Sequence, residues 1–111
     1  MKKTLLTLLL GFSVPTFAAF IQEANSVKDI VDVKEMNDDT PVIIQGNIVQ
    51  QLEDDKYIFR DNTDEVIVEI GKKAWRGVDV KATDTVQLVG EVDKDFSDDV
   101  EIDVKQVILV K

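Results

Sequence analysis

The chain has 111 residues, 13 Lys and Arg against 22 Asp and Glu, a net charge of −9, and neither Cys nor His. Missing His and Cys removes the commonest general base, the thiol nucleophile and the usual soft or borderline metal ligands, so Cys-His and Ser-His catalysis cannot be assembled. The charge balance also argues against nucleic acid, whose binding draws affinity from Lys and Arg neutralising phosphates.

The first residues, MKKTLLTLLLGFSVPTFA, join a basic start to an apolar run and end on small residues. Leu5 to Val14 is shorter than the about 20 apolar residues of a stable membrane anchor, and no stop-transfer stretch follows. The segment reads as a cleaved secretory signal covering residues 1–18, with Thr16 and Ala18 at the minus-three and minus-one places. Residues 19–111 are then one small domain that folds without disulfides and does not insert into a membrane. Losing Lys2 and Lys3 leaves 11 basic against 22 acidic residues, a net charge of −11. Such a surface favours solubility and attracts cations: divalent metals, polyamines or basic peptides.

Asn25 or Ser26 is placed to cap a helix carrying Val27, Ile30, Val31 and Lys34 on one stripe, with Asp29 completing a capping box and the end near Met36. Pro41 opens a first strand over 42–51, in which Val42, Ile44, Gly46 and Ile48 share a face. Gly46 in mid-strand predicts a bulge or sharp bend of the kind that closes small barrels. After the turn Leu52 to Asp55, residues 56–60 and 66–70 form a hairpin around the tight turn Asp61 to Asp64. Gly71 to Gly77 holds a short helix between two glycines, and 85–92 and 100–110 supply the last two strands.

Between those strands lies VDKDFSDDVEID, with Asp93, Asp95 and Ser97 at the first, third and fifth places of a possible calcium loop. An EF-hand needs Gly at the sixth place and a bidentate Glu at the twelfth. Asp98 and Val104 stand there instead, and Val100, Ile102 and Val104 alternate with Glu101, Asp103 and Lys105 at a strand period. The stretch is therefore an acidic turn between strands.

The order strand, strand, strand, short helix, strand, strand is the wiring of a mainly β, five-stranded OB-fold Greek-key barrel with an additional N-terminal helix. Alternation alone would also describe a two-sheet sandwich. The glycine-bounded helix between strands three and four favours the barrel, because an OB-fold plugs one end there.

The segments GNIVQQLEDDKYIFRDNTDEVIVEI, AWRG and GEVDKDFSDDVEIDVKQV, following a signal peptide and a helix, resemble the bacterial OB-fold (BOF) family of periplasmic stress-tolerance proteins. The resemblance runs from about Ser26 to Val110 and is carried by Gly46 with Ile48, Tyr57 to Asp61, Trp75 with Gly77, and Gly90 to Lys94. It implies a soluble periplasmic barrel, linked with envelope stress, that binds something other than nucleic acid. It implies neither catalysis nor a known ligand.

OB barrels bind ligands across strands two and three, flanked by the loops joining strands one to two and four to five. The candidate ligand-binding residues are accordingly Asp54, Asp55, Lys56, Tyr57, Ile58, Arg60, Ile67, Asp93 and Asp95. Tyr57 is expected in the core with its hydroxyl at the rim, the alternative being a stacking platform. Arg60 and Asp61 are expected to form a strand-end charge pair, the alternative being a recognition pair; the outward charges Lys56, Arg60, Glu65 and Glu69 could also pair across the strands, and Trp75 is expected to be buried as a cap on the barrel bottom. The acidic turns are ordinarily solvated; should they converge, four or more carboxylates would surround one opening and suit a hard cation.

The expected function is non-enzymatic periplasmic binding of a small polar or cationic ligand, or of an envelope protein, by a monomer without cofactors. The alternative is weak calcium or magnesium binding or buffering through the acidic loops. An uncovered edge on strand five, which carries the chain end, could support dimers, but a monomer is expected.

Overall fold

The computed structural model describes residues 26–94 and 99–111. The signal-like segment and residues 95–98, with Asp95, lie outside them. Five strands, β1 (Pro41–Gln51), β2 (Lys56–Arg60), β3 (Glu65–Glu69), β4 (Val86–Lys94) and β5 (Val100–Leu109), close into a barrel in the order β1-β2-β3-β5-β4. Helix α1 (Ile30–Val33) precedes β1, and α2 (Lys72–Trp75) lies between β3 and β4. This is the OB wiring that the element order predicts. β5 pairs with both β3 and β4, so strand five has no free edge.

Alternation along each strand builds the core, because successive side chains of a strand point to opposite faces. Val42, Ile44 and Ile48 of β1, Phe59 of β2, Val66 and Val68 of β3, and Val86, Leu88 and Val92 of β4 all turn inward. β5 contributes Ile102, Val104 and Val107, a spacing that breaks period two. The cause is a bulge: Gly90 pairs with Val104 but Val89 pairs with Gln106, leaving Lys105 as the extra residue that flips the phase. Phe59 heads the fully buried side chains by volume and anchors the cluster.

β1 serves two neighbours. Residues Pro41 to Gly46 pair with β4, and Asn47 to Gln51 pair with β2, with a register shift between Ile48 and Gln50. The handover requires β2 to pass close to β1 at Gly46, where an added Cβ would fall on the carbonyl oxygen of Arg60. Gly90 stands in the same relation to the Asp103 carbonyl, beside the second bulge. Both glycines permit the close backbone approach that a coiled, closed sheet demands.

The N-terminal helix is shorter and starts later than its sequence pattern suggests. Val27 forms an isolated parallel bridge with Ile43, and the Lys28 N–H donates to the Ile43 carbonyl at 2.8 Å, so this stretch runs extended beside β1. Asp29 is the N-cap but its side chain makes no capping bond. Ile30 and Val33 are buried, whereas Val31 and Val27 are 46% and 47% exposed. The pairing of Val27 and Lys28 with β1 overrides the local helical periodicity.

Candidate functional site

On the outer face of the sheet, Lys56, Ile58 and Arg60 of β2 stand opposite Glu69, Ile67 and Glu65 of β3. The parallel β3–β5 ladder continues the rows, with Ile67 level with Glu101 and Glu69 level with Asp103. Arg60 Nε donates to Glu65 Oε2 at 2.6 Å, a direct cross-strand pair. Lys56 Nζ reaches past β3 and donates to both Glu101 oxygens, at 3.0 and 3.1 Å. The hydrogen bond and charge of Glu101 hold the Lys56 ammonium above its ordinary value.

Between these two ion pairs lie Ile58 and Ile67, half-buried. They floor a depression of about 550 Å³, with Val100 adding apolar wall and Lys34, Glu35, Glu65 and Asp99 among its polar lining. The lining thus carries one ammonium and three carboxylates around an apolar strip, with Glu65 paired to Arg60 and Lys34 paired to Asp64. α1 reaches this rim because Lys34 Nζ pairs with Asp64 Oδ2 at 3.0 Å.

The β1–β2 turn builds a different place. Its Asp54 and Asp55, both exposed, line a second depression of about 590 Å³ with Tyr57, Ile70, Lys72 and Trp75. Tyr57 and Trp75 meet edge to face, ring centroids 5.6 Å apart and planes at 80°. The Tyr57 hydroxyl donates to the Asp54 carbonyl at 3.4 Å. Both rings are half-buried against the core cluster, so Trp75 caps the barrel without being sealed inside it.

The candidate residues therefore separate. Asp54, Asp55 and Tyr57 belong to the aromatic depression; Ile58 and Ile67 belong to the outer strip, with Lys56 and Arg60 in the ion pairs that bracket it. Asp93, half-buried on β4, is level with Glu101. The described parts of the two acidic turns do not converge. Ile70 N–H donates to the Asp55 carbonyl at 2.8 Å, fixing the first turn at the end of β3, whereas Asp99 lines the depression shared with Glu65 at its start. Among the described residues no group of three or more Asp, Glu, His or Cys is placed to hold a metal ion.

The expected Arg60–Asp61 pair is replaced by Arg60–Glu65. Asp61 instead organises the hairpin turn: its Oδ1 accepts the Thr63 N–H at 2.7 Å, the Thr63 hydroxyl at 2.6 Å and the Asp64 N–H at 3.0 Å. Sequence reasoning also missed Glu101 as the partner of Lys56, and Lys34, Val100 and Lys72 as lining residues. Their positions follow from long-range register, for which spacing along the chain carries no signal.

The family model described as bacterial OB fold (BOF) protein matches residues 12–109. Protein YgiW of Escherichia coli K12 is 48% identical over 82 residues, a match covering 74% of this chain and 62% of that protein, less than two-thirds of its length. The solved structure of the hypothetical protein ygiW from E. coli superposes with a TM-score of 0.74 at 47% identity, covering 77% of this chain and 90% of that one. The calcium-regulated OB-fold protein CarO of Pseudomonas aeruginosa PAO1 is 38% identical over 103 residues, covering 90% of this chain and 88% of that protein. Given a closed five-stranded barrel with this wiring and a family match across most of its length, the chain belongs to the bacterial OB fold (BOF) family.

Proposed function

We propose that the protein is a non-enzymatic, periplasmic binding module of envelope stress tolerance that takes a positively charged, amphipathic ligand or peptide segment on the outer face of β2 and β3. The observation that carries this reading is the Ile58–Ile67 strip, set between two ion pairs and rimmed by Glu35, Glu65 and Asp99. Apolar area drives association of the ligand body, and the excess of carboxylates selects its charge. Nucleic-acid OB grooves combine positive charge with exposed stacking aromatics. Here isoleucines occupy the central outward positions and Phe59 is buried, which supports a ligand other than nucleic acid.

The test is an amide-shift titration by NMR with a short peptide alternating Leu and Lys. Its Glu-for-Lys counterpart, a single-stranded oligonucleotide, calcium and magnesium serve as comparators. The basic peptide is expected to give saturable shifts centred on Ile58, Ile67 and Val100, and the acidic peptide and oligonucleotide none. Equal responses to both peptides would overturn the assignment. Calcium enters the panel because the CarO relative is named as calcium-regulated. Saturable shifts confined to the acidic turns with calcium or magnesium alone would favour the cation-binding alternative.

A further inference from the structure

We propose that the corner between Tyr57 and Trp75 is a second binding site, specific for a compact alkylammonium group and separate from the outer face of β2 and β3. The two rings meet edge to face at 80° with centroids 5.6 Å apart, and both line one depression, half-buried. Indole is the best of the aromatic faces for a cation, and a phenol is next to it in kind. The depression is completed by Asp54 and Asp55, two exposed acidic residues that place negative charge beside it, over the apolar Ile70. A hydrophobic cation satisfies all of these surfaces at once: methyl or methylene groups against the rings, charge towards the carboxylates.

The geometry has a physical origin in the fold. Strand alternation turns Tyr57 towards the barrel interior, but it is the second residue of β2, at the barrel end covered by α2. Trp75 arrives from that helix and meets the Tyr57 ring at the mouth, which leaves both rings half-buried. Lys72, exposed on the same helix, lines the same depression. Its ammonium repels a cationic guest and attracts an anionic one, which gives the proposal a test of sign as well as of place.

Trp75 is the only tryptophan in the chain, so its fluorescence reports this corner directly. The folded protein is titrated with tetramethylammonium chloride, with tert-butanol as the neutral analogue of similar shape, and with sodium chloride and sodium acetate as ionic controls. A saturable change with tetramethylammonium and none with the other three is expected. The double substitution D54N/D55N is expected to weaken binding by up to about fivefold, the size of an exposed ion-pair attraction of up to about 1 kcal/mol. Lys72→Gln is expected to tighten it. All three positions are exposed, so these variants test the site without disturbing the core. Ile67→Lys, which blocks the outer face, is expected to leave the tetramethylammonium response unchanged, so the two sites stand or fall separately. An equal response to tert-butanol, no saturable response to tetramethylammonium, or weaker binding in Lys72→Gln would each overturn the proposal.

Discussion

Asp61, on the β2–β3 turn, accepts the backbone N–H of Ile30 at 2.9 Å, so the first turn of α1 is capped by a residue 31 positions further along the chain. Thr63 Oγ1 accepts the next N–H, that of Val31, at 3.1 Å, and Asp64 pairs with Lys34. A helix of four residues has little stability of its own, and here both its unsatisfied N–H groups and its charge are held by one hairpin turn. With Oδ2 docking the helix and Oδ1 closing the turn, Asp61→Ala is expected to destabilise the protein by about 1–2 kcal/mol, the range for lost caps and buried hydrogen bonds. Hydrogen exchange checks this: the Ile30 and Val31 amides lose protection first.

The same contacts set a pH dependence. Burial pushes the Asp61 carboxyl up, but hydrogen bonds from the Thr63 side chain and the Ile30, Thr63 and Asp64 amides outweigh it and hold the group below its ordinary value. Asp64 is also held low, first by the Glu65 N–H and then by Lys34. A carboxylate depressed in the folded state contributes stability that is present above the unfolded value, near ~4, and is lost as pH falls through the folded one. The difference in thermal midpoint between the wild type and Asp61→Asn is therefore constant at neutral pH and shrinks below pH ~4. A gap that widened on acidification would contradict the latch.

Gly46→Ala and Gly90→Ala are each expected to destabilise by about 3 kcal/mol, because the new methyl meets a backbone carbonyl that is locked in the sheet. Gly71→Ala has open space and a φ of −80°, and is expected to be neutral or stabilising by up to about 1 kcal/mol. Urea unfolding of the three variants separates close approach from general glycine effects.

The outer ion pairs are expected to contribute little stability. The side chains of Arg60 and Glu65 are 57% and 45% exposed, so Glu65→Gln is expected to cost less than about 1 kcal/mol. Phe59→Ala, by contrast, empties the middle of the core and is expected to cost about 3–5 kcal/mol. Denaturant midpoints for the two variants should differ accordingly.

Strand positions and the inward faces of β1 to β4 were legible because period-two patterning and turn residues are local signals. Gly46 was legible as a point where the strand bends, but its close approach to the Arg60 carbonyl was not, because that contact joins distant segments. What escaped the sequence was set by register: Lys56 reaching Glu101 across β3, and the capping of α1 from Asp61. The helix start was misjudged because Val27 and Ile30 share helical spacing, while the pairing of Val27 with Ile43 is a contact between distant segments. The phase flip after Val104 was hidden because a bulge residue, Lys105, looks like any other exposed lysine. For the candidate site, the outward placement of Ile58 and Ile67 could be read from alternation, but the separation of the two acidic turns depends on which end of β3 each one joins.

A ligand seated on the outer face of β2 and β3 is tested most directly by calorimetry of the alternating Leu and Lys peptide against the wild type and Ile67→Lys. The substitution places an ammonium level with Glu101, where the outer face tolerates charge, while filling the apolar strip. Saturable binding to the wild type and its loss in Ile67→Lys are expected, with the thermal midpoint of the free protein little changed. Undiminished affinity in the folded variant would contradict a ligand seated on the outer face of β2 and β3.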